Sequence, residues 1–191
     1  EITTTKELSS ELPQGAVHQG IMLLCSQKKL ITFDNNMLNK IDKIIMLDNI
    51  YDPRNIGAII RTAVAFGFST IITTHRFEQL DEGLIAKSSS GGLEYVNIVS
   101  AKNLSNMLET LKKNNFWLIG FDSDAASSID DMNFGKNDKF VLIFGDEGRG
   151  IRNLTKSKCH EIYKLNTIGK IKSLNVSVAI GVTLNKITEN Y

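Results

Sequence analysis

The chain is poor in most of what marks a specialised scaffold. Its 191 residues include two prolines, two cysteines and one tryptophan. Cys25 and Cys159 lie far apart and form no C-x-x-C pair. A disulfide framework is therefore excluded, and a reduced, cytoplasmic setting is expected. Fourteen glycines with so little proline rule out collagen-like and low-complexity chains. No apolar run approaches the roughly 18 residues of a membrane span, so no membrane partner is expected. No signal peptide is expected. The three histidines, His18, His75 and His160, lack metal-ligand spacing, so no metal is expected. Charge of one sign is also missing overall, with 22 Lys+Arg against 21 Asp+Glu.

What is present is a globular composition, 42% hydrophobic and 23% charged. A chain this long buries roughly 70% of its unfolded surface. The first 16 residues are polar and read as a tail or linker end, leaving 17–191 as one domain. The balanced charge is unevenly spread. From 149 to 172 there are seven cations (Arg149, Arg152, Lys156, Lys158, Lys164, Lys170, Lys172) against Glu161 alone, a net of +6. Such a cluster is either a solvated face or a phosphate-binding surface.

Short apolar runs alternate with helical periods. Ile44–Leu47, Ser69–Thr74, Tyr95–Val99, Phe116–Phe121, Phe140–Phe144 and Ile162–Leu165 read as strands. Arg54–Phe66, Leu80–Lys87, Ser100–Asn114 and Ser173–Thr188 read as helices, with Gly67 stopping the first and Ser173 capping the last. Residues 88–92 read as a loop. The alternation predicts an α/β fold, a mostly parallel sheet with helices on both faces. Ligands of such sheets bind beyond the carboxyl ends of the strands.

Several familiar motifs fail. The run Gly145-Asp-Glu-Gly-Arg-Gly150 lacks the lysine of a P-loop and does not follow the first strand, as a dinucleotide fingerprint would. Ser89 lacks the glycine of a nucleophile elbow. Asp48 and Asp52 read as a strand-end and a turn aspartate rather than a magnesium pair. Three strand-end segments remain. In the first, Asn55 suits a helix cap, whereas Arg61 sits among Ala58, Ile59, Ile60, Ala63 and Val64, where a charge wants a buried partner or a bound anion. The second is 142–150, with glycines that admit close backbone approach and Glu147 between them. In the third, Ser173, Asn175 and Ser177 crowd polar groups into the start of an apolar helix.

Taken together, Asn55-x-Gly57-x-x-x-Arg61, Gly145-x-Glu147-Gly148-x-Gly150 and Ser173-Leu-Asn-Val-Ser-Val-Ala179 resemble the signature blocks of the SpoU (TrmH-like) branch of the SPOUT methyltransferases. The blocks stand in order and at the usual separation, and the resemblance runs from about Gly15 to the end. Within that branch, Gly15–Gly20 and Asp52–Gly57 look most like the enzymes that methylate a guanosine 2′-hydroxyl of 23S ribosomal RNA. Relatives that modify tRNA share the blocks, and an RNA-binding protein on a decayed methylase scaffold is the non-enzymatic alternative.

The resemblance implies a deep trefoil knot in the C-terminal part of the sheet, S-adenosylmethionine as cofactor, RNA as substrate and a homodimer. It implies a cofactor pocket lined by Ile143, Gly145, Gly150, Leu165, Thr167 and Leu174. Arg61 is expected to act at the ribose 2′-hydroxyl, with Asn55, Glu147, Ser173 and Asn175 completing the site. Arg152, Lys156 and Lys170 are the expected RNA phosphate contacts. The first 16 residues would be the end of a linker from an N-terminal RNA-binding domain. The third block departs from the family pattern, because Asn166-Thr167 replaces the usual Pro-Met. The lost proline is expected to loosen that loop.

Overall fold

The computed structural model describes residues 2–12, 15–24, 30–31, 35–74, 79–133, 138–171 and 173–189. Cys25, His75 and Lys172 lie outside the described residues.

Seven parallel strands form one sheet: β1 (Lys43–Asp48), β2 (Thr70–Thr74), β3 (Asn97–Ala101), β4 (Trp117–Phe121), β5 (Ser127–Ser128), β6 (Phe140–Gly145) and β7 (Glu161–Lys164). Their order is β3-β2-β1-β6-β4-β7-β5. The chain steps outward from β1 to β3, then crosses the sheet to β4. The carboxyl ends of β6, β4 and β7 therefore meet on one side of β1 and those of β2 and β3 on the other.

Both faces are covered. Strand residues alternate between them, so Ile45 and Leu47 join one core and Ile44 and Met46 the other. The first core receives α3 (Pro53–Ala65), through Ile56, Ile59, Ile60 and Ala63, and α7 (Val176–Thr188), through Ile180, Leu184 and Ile187. The second receives Leu38 of α2 (Asn35–Leu38) and Leu104, Leu108 and Leu111 of α5 (Leu104–Lys113). The short helices α4 (Glu82–Ser89) and α6 (Asn153–Lys156) bridge strand ends.

Local chemistry moves several boundaries from their expected places. The polar N-terminal segment contains a helix, α1 (Thr5–Glu11), closed by a capping box between Thr4 and Glu7. Asp52, not Asn55, caps α3 by accepting the Arg54 N–H. Ser88 and Ser89 belong to α4 rather than to a loop, and Ser90 and Gly91 end it in left-handed conformations. The third strand starts two residues later than expected because Gly92–Tyr95 forms a 3-10 turn. Asn103 caps α5, which removes Ser100–Lys102 from that helix. Asn175 takes the capping place expected of Ser173, accepting the Ser177 and Val178 N–H groups at 3.0 and 3.4 Å.

Candidate active site

β6 ends at Gly145, and the next five residues fold straight back on it. The Gly150 N–H donates to the Asp146 carbonyl at 2.7 Å, and the Gly148 N–H donates to Asp146 Oδ2 at 3.2 Å. A Cβ on Gly145 would stand 2.0 Å from the carbonyl carbon of Gly150. Gly150 itself has φ +64, and a Cβ there would meet Asp122 Oδ2 at 2.7 Å. Only glycine fits either place.

This hairpin forms one wall of an open cleft of about 200 Å³. Phe121–Asp124 beyond β4 form a second wall, and Leu165, Thr167, Ser173 and Leu174 on the way to α7 form a third. The expected cofactor residues Gly145, Gly150, Leu165, Thr167 and Leu174 thus surround one space, together with Glu147 and Ser173. Ile143 does not. It is 0% exposed in the core shared with Leu118 and Val141, so this expectation is corrected. The strand's alternation turns its side chain into the α5 face, away from the cleft.

The loop after β7 is tied down where loosening was expected. Asn166 Nδ2 donates to Ser128 Oγ at 2.7 Å and to Asp130 Oδ2 at 2.8 Å, and Lys186 of α7 pairs with Asp130 at 3.0 Å. The side-chain amide supplies the constraint a proline ring would otherwise give. Lys186 holds the Asp130 carboxyl below its usual range.

Beside the cleft, three expected residues from three distant segments converge. Glu147 Oε1 accepts from Asn55 Nδ2 at 3.1 Å, from Asn175 Nδ2 at 2.6 Å and from the Val176 N–H at 3.4 Å. Asn175 Nδ2 also donates to Asn55 Oδ1 at 3.0 Å. The spacing of 92 residues between Asn55 and Glu147 hides this cluster from local pattern reading. Arg61 lies apart from it. It is exposed, with neither a buried partner nor a place in the cleft lining, and donates from a terminal nitrogen to Ser90 Oγ at 3.2 Å.

Two of the expected phosphate contacts are engaged within the chain. Lys156 lines the cleft and pairs with Asp122 at 2.6 Å. Burial raises the Asp122 carboxyl, but hydrogen bonds from Lys156 and the Asp124 N–H bring it below its ordinary range. Arg152 Nε donates to Asp48 Oδ1 at 2.7 Å, and its backbone N–H donates to Oδ2 at 3.1 Å. Asp48 is 0% exposed, so it is a structural anchor for the glycine hairpin rather than a plain strand-end residue. Lys170 is exposed and makes no ion pair with the described residues. Among the described residues there is no group of three or more His, Cys, Asp or Glu that could hold a metal ion. No helix there is long and apolar enough to cross a membrane.

A parallel α/β sheet with a glycine-walled cleft at its strand ends defines an α/β protein whose ligand site lies beyond the carboxyl ends of its strands. The comparisons narrow this. The profile described as the SpoU rRNA Methylase family matches residues 42–185, and the chain belongs to that family. A TrmH family tRNA/rRNA methyltransferase of Staphylococcus haemolyticus (strain JCSC1435) is 30% identical over 177 residues, covering 90% of this chain and 70% of the relative. The fold matches the SpoU methyltransferase AviRb from Streptomyces viridochromogenes in complex with AdoMet. That match has a TM-score of 0.72 and 22% identity, and covers 82% of this chain and 64% of that one. It also matches the TrmH/SpoU tRNA modifying enzyme of A. aeolicus, with a TM-score of 0.69 and 23% identity, over 81% and 82% of the two chains. The chain spans 60% of the length of another structural neighbour, an RNA methyltransferase of the TrmH family from Porphyromonas gingivalis.

Proposed function

We propose that this chain is the catalytic domain of an S-adenosylmethionine-dependent RNA 2′-O-ribose methyltransferase, acting on a guanosine of large-subunit ribosomal RNA. The observation that carries the reading is that the second and third signature segments wall one glycine-lined cleft, and Asn55 of the first joins them beside it through Glu147 and Asn175. The cleft's chemistry suits the cofactor. Phe121, Leu165, Leu174 and Ala179 offer apolar surface for a purine, and Asp122, Asp124 and Glu147 offer carboxylates to a ligand carrying positive charge. The hairpin presents backbone at closest range where glycine replaces a side chain. The AdoMet complex of AviRb lends the same choice support from a shared fold. We assign the knot of this family to the segment from β6 to α7, whose two long loops form opposite walls of the cleft. Knots are rare exceptions to ordinary topology.

The cofactor, when bound, supplies an electrophilic methyl group on a sulfonium. The chain must then place a ribose hydroxyl in line and stabilise the charge on its oxygen. Placement alone can contribute several kcal/mol. Glu147, held by Asn55 and Asn175, fixes the floor of the site. A guanidinium donates hydrogen bonds and accepts none, so the role of Arg61 is to hold RNA phosphate and stabilise the developing alkoxide rather than to remove a proton. Arg61 lies on α3, which packs against α7, where Gly181 faces Thr62. The exposed Val178 and Val182 of α7 continue that side of the molecule. A homodimer is proposed across this apolar face.

Mapping 2′-O-methyl positions in cellular RNA with and without the protein tests activity and substrate together. An unchanged map overturns the reading, and a change confined to tRNA reassigns the substrate. In purified protein, Arg61→Ala should abolish methyl transfer and leave calorimetric binding of S-adenosylmethionine near wild type. Lost cofactor affinity would move Arg61 to the cofactor's own binding set.

A further inference from the structure

A second cavity, of about 610 Å³, opens over the other half of the sheet. It sits at the carboxyl ends of β1, β2 and β3. Tyr51 and Thr74 form one side, the β3–α5 junction from Lys102 to Ser105 a second, and Arg149 and Arg152 a third. Three cations line it and no carboxylate does. Lys102 and Arg149 make no ion pair with the described residues.

The cavity is built rather than incidental. Asn49 is held at φ +64, a left-handed conformation uncommon outside glycine. Its Oδ1 accepts from the Tyr51 hydroxyl at 2.9 Å, and the Thr74 hydroxyl donates to that of Tyr51 at 3.4 Å. The two strand ends are thereby joined by a polar row along one wall. Opposite, buried Asp48 fixes Arg152 by its Nε and backbone N–H, which leaves the two terminal guanidinium nitrogens for a ligand. The amino end of α5, ten residues long, opens into the same space through Leu104 and Ser105, and its dipole favours an anion there.

Arg149 lines both this cavity and the cofactor cleft, so the two spaces share a wall. A strand whose ribose is presented at the cleft continues past that wall. We propose that this cavity is a phosphodiester subsite for the RNA strand flanking the methylated nucleotide, with Lys102, Arg149 and Arg152 taking the phosphate and the Tyr51 and Ser105 hydroxyls facing the sugar. The inference rests on the RNA methyltransferase reading. It assigns to RNA contact Lys102, Tyr51 and Ser105, none of which belongs to a signature block.

The test uses the full chain, a fluorescent mixed-sequence 20-nucleotide single-stranded RNA and substitutions at exposed Lys102. Anisotropy titrations between 50 and 200 mM KCl give affinity and its salt slope. One lost phosphate contact should flatten the slope by about 0.7 and weaken binding about five-fold at 0.1 M salt. Lys102→Ala should do this, Lys102→Glu should do more, and Lys102→Arg should restore wild-type behaviour. S-adenosylmethionine affinity and the thermal midpoint should stay at wild-type values in all three. An unchanged affinity and slope for Lys102→Glu overturns the subsite. So does displacement of the RNA by millimolar adenosine 5′-monophosphate with wild-type efficiency from Lys102→Glu, which would place the nucleotide elsewhere. If wild-type protein methylates no RNA yet Lys102→Glu still flattens its salt slope, the subsite stands and the catalytic reading falls.

Discussion

Glu147 gathers three hydrogen bonds on a single oxygen, and Asn175 is the member of that cluster with two tasks. Its Nδ2 donates to Glu147 and Asn55 while its Oδ1 caps α7. Asn175→Ala removes both, and loss of the cap alone costs roughly 1 kcal/mol. Asn175→Asp keeps a capping oxygen but sets a carboxylate against Glu147 at the same distance. Chemical denaturation should therefore find the alanine variant less stable by about 1 kcal/mol, and the aspartate variant destabilised as well by carboxylate repulsion despite its retained cap. Methyl transfer should fall in both, because the Glu147 contact is lost either way. An aspartate variant with full activity would remove Asn175 Nδ2 from the site. Residue chemistry of this kind was half legible in the sequence. Asn55, Glu147, Ser173 and Asn175 stand out as polar groups at strand ends or among apolar neighbours. Asp48 did not, since nothing in its local pattern reveals that it is fully buried against Arg152, 104 residues away.

At the scale of elements, periodicity located every strand of five or more residues and the four principal helices, because each carries a buried stripe. Boundaries moved wherever a side chain made a specific cap: Asp52, Asn103 and Asn175 each start a helix at a point periodicity cannot see. The two-residue β5 is too short to carry a pattern. The β4–β7 junction shows how one side chain completes an element. His160 donates its backbone N–H to the Leu118 carbonyl at 2.8 Å, and its Nδ1 accepts the Leu118 N–H at 2.8 Å. The ring also stacks on Trp117, with centroids 4.2 Å apart. Accepting that bond requires an unprotonated Nδ1, and burial holds the His160 pKa below its ordinary value. The unfolded chain thus binds the proton first, near pH 6.5. The contribution to stability is complete above that pH and is lost as pH falls through the lower folded-state value. Thermal midpoints measured from pH 7.5 down to 5 should drop more steeply for wild type than for His160→Asn, which keeps an acceptor that does not titrate. Parallel curves would show that His160 takes up its proton equally in the folded and unfolded chain.

The whole molecule was the least legible scale. Alternating strands and helices imply a parallel sheet but leave open its order, and only the spatial order β3-β2-β1-β6-β4-β7-β5 brings the hairpin at Gly145 beside the loop at Leu165. The surface left over by that order makes its own prediction. Val178 and Val182 stand four residues apart on one side of α7, 51% and 47% exposed, with Leu174 just ahead of the helix at 39%. Ile168 and Ile171 project from the adjoining loop. Scattered exposed apolar residues are ordinary, but five within 15 positions beside the cleft are the composition an interface needs. A specific dimer needs about 800 Å² per partner, and we propose that this band and the neighbouring face of α3 together form it. Light scattering at micromolar concentration should therefore give twice the 21.2 kDa of one chain. The double substitution Val178→Asp and Val182→Asp should give the single mass and, with the site completed at the subunit boundary, reduce methyl transfer. Circular dichroism should remain unchanged, since neither valine belongs to the buried core. A wild-type monomer at those concentrations, or a monomeric variant with full activity, would show that the site is complete within one chain.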